Sequence, residues 1–210
     1  RAKRECVCES GSPKSDIVEY VNSDEIDIFD PIADYLERLP KWNGENHVAR
    51  VFNRLPGVDS ELTGYLRNIY GGSNVIAADL RHNEELAGDG PFVQLDVLDR
   101  DKMAYTVHKN GIDTIFNLVA LLSATGEKNP QLAWNINMGA LNNSLEVARE
   151  YNCAVFTPSS IGAFGGDFPR DNTPQDVVMQ PDTMYGVCKV TGELLSNYYY
   201  TRYGVDTRSV

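Results

Sequence analysis

The chain has 210 residues, 42% hydrophobic and 23% charged, with a formal net charge of -11. That length buries one substantial core, and the acidic balance argues against a nucleic-acid or anionic-membrane surface, which needs clustered Lys and Arg. Only the opening RAKR gathers cations, no apolar run is long enough to span a bilayer, and no signal peptide opens the sequence.

Residues 1–46 are acidic, with turn formers at GSP and KWNGEN, and read as an appendage that is partly disordered. A short amphipathic helix is expected within DPIADYLERL, where Ile32, Tyr35 and Leu36 share a face. Residues 47–210 then alternate regularly. HVARVF reads as a strand, SELTGYLRNIYGG as a helix with a serine entry and a glycine exit, and NVIAADL and FVQLDV as strands. RDKMAYTVHKNG follows as a helix, IDTIFNLVALLSA as a strand running into a loop, and NPQLAWNINMGALNNSLEVAREYN as a long helix. AVFTPSSIGAF is a strand and turn, MYGVCKVTGELLSNYYYTRYG a helix, and VDTRSV a last strand. Such alternation predicts an α/β, Rossmann-like, doubly wound parallel sheet, with ligands beyond the carboxyl ends of its strands.

Those strand ends carry the candidate residues. Asp79 closes NVIAADL, where an acid accepts both ribose hydroxyls of NAD; the alternative is a solvated terminus. Arg81 follows, but a carboxylate at the strand tip repels a 2′-phosphate, so NAD is expected rather than NADP. Asp96 and Val97 could frame an adenine ring, or Asp96 could simply start a turn. Small residues at Ala120, Ser123 and Ala124 permit close approach of a pyrophosphate and a substrate. Asn135 is a poor helix former inside the long helix, set either to hydrogen-bond inward or to sit on the surface. Ser160 follows the fifth strand, and Tyr185 and Lys189 share one helix face. An ammonium beside a phenol favours the phenolate, which suits a proton-transfer pair, and a serine hydroxyl can hold the substrate oxygen. The cysteines Cys6, Cys8, Cys153 and Cys188 show no zinc-site spacing, so no metal is expected and reduced thiols in the cytoplasm are the simplest reading. A mitochondrial location is the alternative, if a transit peptide precedes the sequence given.

From about Val48 to Val210 the chain resembles the extended short-chain dehydrogenase/reductases, the NAD-dependent epimerase/dehydratase group. LVALLSATGEKNPQLAWNINMGALNNSLEVARE, FTPSSIGAFG and TMYGVCKVTGELLSNYY are similar to the short-chain type of L-threonine 3-dehydrogenase within it. The resemblance implies Tyr185 as general base on the threonine β-hydroxyl, Lys189 as its cationic neighbour on the nicotinamide ribose, and Ser160 as the donor to the reacting oxygen. It further implies Ser123 as a contact to the amino acid and Asp79, Asp96, Val97, Leu118, Ala120 and Asn135 as contacts to the cofactor. Hydride would pass from the threonine β-carbon to NAD, giving 2-amino-3-oxobutanoate, without a metal. A homodimer through two paired helices is implied as well.

Two departures stand out. The family places a glycine-rich phosphate loop after the first strand, whereas this sequence reads NRLPGVDSEL, with Gly57 as its one glycine, Pro56 lacking an N–H, and side chains at Leu55 and Asp59 crowding the phosphates. The family also continues into a smaller carboxyl-terminal domain that closes over the substrate, while this sequence ends at VDTRSV. A sugar-nucleotide epimerase or dehydratase, and a non-catalytic remnant or interaction module, are therefore the competing expectations.

Overall fold

A computed structural model describes residues 49–52, 58–166, 173 and 177–209, with side chains from residue 61 onward. The appendage over 1–46, the helix expected in DPIADYLERL, Cys6, Cys8 and the loop holding Leu55, Pro56 and Gly57 lie outside the described residues.

Six strands form one parallel sheet. They are β1 (Ala49–Phe52), β2 (Val75–Asp79), β3 (Phe92–Gln94), β4 (Thr114–Asn117), β5 (Ala154–Phe156) and β6 (Thr207–Arg208), in the spatial order β3-β2-β1-β4-β5-β6. The chain moves outward from β1 to β3, then returns to the other side of β1 and continues to β6. β1 therefore pairs with both β2 and β4, and the carboxyl ends of β1 and β4 flank the crevice where such sheets bind ligands. This is the doubly wound Rossmann-like arrangement that the alternation predicts.

The helices follow from local signals. α1 (Val58–Tyr70) joins β1 to β2, and α2 (Glu84–Gly88) is a short helix whose cap, Asn83, accepts from the N–H groups of Glu85 and Leu86. α3 (Arg100–Asn110) is capped by Asp99 and closed by Gly111 in the left-handed conformation. The short α4 (Ser123–Gly126) leaves the end of β4. The long α5 (Pro130–Tyr151) has Asn129 as its cap, Pro130 in its first turn and left-handed Asn152 at its exit. α6 (Met184–Tyr203) is capped by Thr183 and stopped by Gly204.

Side-chain alternation divides the core. Ile76, Ile115 and Val155 face α3, α5 and α6, where Met103, Val107, Leu145 and Cys188 complete one apolar cluster. Phe116 and Phe156 take the opposite face with ring centroids 5.6 Å apart, and Leu62 and Leu66 of α1 are fully buried.

One buried cation orders the side of the sheet that carries Asp79. Arg67 of α1 donates to the carbonyls of Leu86 at 2.9 Å, Pro91 at 3.0 Å and Val75 at 3.4 Å. Burial pulls its pKa below the usual value, and Asp89 acts in the opposite direction. Gly90 leaves room for the guanidinium, since a Cβ there would stand 2.7 Å from its Nε. Arg67→Met strips donors from all three carbonyls and is expected to cost about 2 kcal/mol of stability, read by thermal melting.

Candidate active site

The carboxyl ends of β4 and β5 and the first turns of α6 bring three of the expected residues together. After β5 the chain runs through Thr157, Pro158 and Ser159 to Ser160, which caps a single 3-10 turn over Ile161–Ala163. The Ser160 Oγ accepts from the Gly162 N–H at 3.1 Å, so its own proton stays available to a substrate oxygen. Tyr185 stands against the same turn. A Cβ built on Gly162 would lie 3.5 Å from the Ser160 Oγ and 3.6 Å from the Tyr185 Cδ1, so hydroxyl and ring flank one point.

Lys189 sits one helical turn beyond Tyr185, its Nζ 5.4 Å from the centre of the tyrosine ring. That Nζ donates to the Pro158 carbonyl at 2.5 Å. Burial pushes its pKa down from 10.5 to about 8, while Cys188 and Glu193 act to raise it. Four residues further on, the Glu193 carboxylate accepts from the Ser159 hydroxyl. Lys189 and Glu193 thus grip two consecutive residues of the segment that leads into Ser160. Neither Ser159 nor Glu193 is marked by sequence reasoning, although the four-residue step from Lys189 places Glu193 on the same helix face.

Ser123 begins α4 and is half-buried. The carboxylate of Glu127, just past α4, accepts from the Met184 N–H at 2.7 Å and so caps the start of α6 beside Tyr185. This joins the segment bearing Ser123 to the helix bearing the tyrosine. Ala120 and Leu118 are buried at the carboxyl end of β4.

Asn135 differs from the inward-bonding expectation. It is exposed on α5, and Asn137 faces inward instead, accepting from the Leu121 N–H at 2.6 Å and donating to the Leu121 carbonyl at 3.2 Å. The reason is helical phase: Ala133, Asn137 and Leu141 recur every four residues on the buried face, and Asn135 is turned away from it. That spacing was the signal by which Asn137 could have been found. Asn137→Leu leaves both Leu121 groups unpaired in a buried place and is expected to cost about 2 kcal/mol in urea unfolding.

On the far side of the crevice, Asp79 closes β2 half-exposed. One of its carboxylate oxygens accepts from the Arg81 N–H at 2.8 Å. Asp96 is exposed and takes the turn-forming role, its carboxylate accepting from the Leu98 N–H at 2.9 Å and its carbonyl from the Asp99 N–H at 3.0 Å. Val97 is half-buried, and its carbonyl accepts from the Asn143 amide at 2.9 Å.

A phenol, an ammonium and a serine hydroxyl thus meet at the rim of a parallel sheet whose strand order reverses beside them. The model of the NAD-dependent epimerase/dehydratase family matches residues 54–210. The chain belongs to this family. An epimerase/dehydratase of Staphylococcus aureus, itself uncharacterised, is 56% identical over 155 residues, which make up 73% of this chain and 48% of that protein. Among solved structures, L-threonine dehydrogenase from Clostridium difficile is 48% identical with a TM-score of 0.75, covering 78% of this chain and 52% of the other. The holo form of a GalE-like L-threonine dehydrogenase from Cupriavidus necator is 42% identical with a TM-score of 0.72, covering 78% and 53%. UDP-glucose 4-epimerase from Thermotoga maritima shares the fold at 21% identity and a TM-score of 0.69, covering 76% and 53%. The chain spans about half the length of the relatives it matches.

The family's cofactor is NAD. The described residues of this epimerase/dehydratase domain suit its ribose ends, because Asp79 keeps a carboxylate oxygen free of the turn it forms and Lys189 keeps two N–H groups beyond its bond to Pro158. The loop around Gly57, expected at the phosphates, lies outside the described residues. Among the described residues no group of His, Cys, Asp and Glu could hold a metal, and no helix is long and apolar enough to cross a membrane.

Proposed function

We propose that the site serves the oxidation of L-threonine to 2-amino-3-oxobutanoate. The observation that carries this reading is the convergence of Ser160 and Tyr185 on one turn, with the Lys189 ammonium beside the tyrosine ring. Its support for threonine over a nucleotide sugar is the 48% identity to a threonine dehydrogenase against 21% to an epimerase.

NAD, when bound, supplies the hydride acceptor. Ser160 donates its free proton to the β-oxygen and orients it, and Tyr185 receives the hydroxyl proton at its Oη. Lys189 sets a positive charge beside the ring and offers its remaining N–H groups to the nicotinamide ribose. Ser123 contacts the amino acid from α4, and Asp79 holds the adenosine ribose. Asp96, Val97, Leu118 and Ala120 would line the adenine side and the middle of the cofactor. Gly57 would give the pyrophosphate its closest approach to the backbone.

The proposed assembly is a homodimer through the outer faces of α5 and α6, where Leu194 and Tyr198 lie exposed one turn apart. Sedimentation of Leu194→Asp against the parent chain would test it, with a shift to monomer expected.

For the activity itself, the purified chain is mixed with NAD and either L-threonine or UDP-glucose, and NADH absorbance and sugar epimers are followed. NADH from threonine alone supports the proposal. Epimer formation without NADH would replace it with the nucleotide-sugar reading.

A further inference from the structure

Tyr185, Lys189 and Glu193 follow one another on a single face of α6 at four-residue steps, about 6 Å apart along the axis. The first two carry roles in the proposed chemistry, and the third has none. Glu193 is nevertheless half-buried, where a carboxylate without partners is costly. Its partner is the Ser159 hydroxyl, which donates to the Glu193 Oε1 in a charge-assisted bond.

That bond completes a strap. The Thr157 N–H donates to the Arg208 carbonyl of β6 at 2.9 Å, and its hydroxyl donates to the Asn117 carbonyl of β4 at 3.3 Å. The Pro158 carbonyl then accepts from Lys189, and Ser159 donates to Glu193. The strap is thus fastened first to the sheet and then twice to the helix that bears Tyr185. The bonds of Ser160 itself stay within its own turn, through the Gly162 and Ala163 N–H groups. Its place relative to the phenol therefore depends on the fastening just before it, which is Glu193.

The same carboxylate acts on Lys189 through space. Burial pulls the ammonium down to about 8, and the charges of Cys188 and Glu193 act to raise it. Burial also pushes the Cys188 thiol up from its usual value, so the thiol stays neutral where the lysine titrates. Tyr185 presents its ring to the lysine. From β4, α5 and the segments after β5 and β6, the facing polar residues Asn117, Asn137, Thr157 and Ser209 carry no titratable side chain. Glu193 is left as the standing negative charge beside the ammonium.

We infer that Glu193 is a positioning residue with two separable functions: through Ser159 its carboxylate fixes the Ser160 strap to the helix that carries Tyr185, and its charge keeps Lys189 protonated. Both contacts stand on the geometry, and their bearing on turnover rests on the proposed threonine reading.

The test uses the whole chain in three variants. Glu193→Gln keeps an oxygen acceptor for Ser159 and removes the charge, Ser159→Ala keeps the charge and removes the bond, and Glu193→Ala removes both. NMR follows the Lys189 titration and the hydrogen exchange of the Gly162 amide, whose bond to Ser160 reports where the serine stands. The Val155 amide, bonded to the Asp206 carbonyl at 2.8 Å, is the reference for general loosening of the fold. Glu193→Gln is expected to lower the lysine midpoint by about half a pH unit, a threefold weaker hold on the proton, with Gly162 exchange near the parent rate. Ser159→Ala should speed Gly162 exchange relative to Val155 by about threefold or more and leave the midpoint no lower. Glu193→Ala should do both. An unchanged midpoint in the Glu193 variants, or Gly162 exchange that merely follows Val155 in the alanine variants, would overturn the inference. Should Glu193→Gln or Ser159→Ala fail to fold, comparison of the other with Glu193→Ala still reads both functions. Neither readout needs turnover, so absence of NADH with threonine counts against the threonine reading alone.

Discussion

Tyr185→Phe is expected to lower threonine-dependent NADH formation by about a hundredfold or more, the usual scale for removing a general base. Its melting temperature and its NAD affinity should stay close to those of the parent chain. The separation follows from what the hydroxyl does in the fold. Among the described residues, no hydrogen bond of the Tyr185 hydroxyl accompanies the ring contacts with Gly162 and Lys189. Phenylalanine preserves the ring, and a cation 5.4 Å from its centre is held by the same quadrupole. The grip of Lys189 on Pro158 and of Glu193 on Ser159 does not involve the phenol. Stopped-flow or steady-state NADH absorbance, paired with calorimetric NAD titration, separates the two effects. A phenylalanine variant that turns over threonine as fast as its parent would remove Tyr185 from the chemistry and leave it as a packing residue.

The parts of this site that the sequence discloses are those set by local rules. Serine, tyrosine and lysine lie within stretches whose own capping and periodicity fix their elements, so Ser160 after β5 and the shared face of Tyr185 and Lys189 were legible before any packing was known. The ends of α5 were legible for the same reason, through the Asn129–Pro130 entry and the Asn152 exit. Short elements were not. α2 lies in the polar run NEELAG and shows its start only through the Asn83 cap, and α4 is four residues inside what reads as a loop. β3 ends at Gln94, sooner than FVQLDV suggests, because Asp96 turns the chain away from the sheet.

Side-chain partners across elements were the least legible. Asn135 and Asn137 are the same residue type in one helix, and only the phase of the buried face tells which amide reaches Leu121. The pairing of Lys189 with Pro158 and of Glu193 with Ser159 depends on how α6 docks against the end of β5, which no local pattern encodes. Sequence reasoning also passed over a glycine next to Tyr185, and its substitution should have the largest effect on stability.

Gly186→Ala is expected to destabilise the chain by about 3 kcal/mol in urea unfolding and to lower any turnover with it. On propensity alone the change should help, because alanine is better than glycine in a helix by up to about 1 kcal/mol. Tertiary contact reverses the sign. A Cβ at Gly186 would stand 2.3 Å from the Gly162 carbonyl oxygen and 2.6 Å from the Pro181 Cβ. Neither neighbour is the free end of a flexible side chain, so helix and turn must separate. That turn carries Ser160, and the helix carries Tyr185, so the separation acts directly on the distance the proposed chemistry depends on. Gly64→Ala in α1 is the control, since nothing lies within 4 Å of a Cβ there. It should leave stability unchanged or raise it by about 0.5 kcal/mol or more. If the two alanine variants proved equally stable, α6 would not approach the Ser160 turn this closely, and the convergence of serine and tyrosine would lose its structural basis.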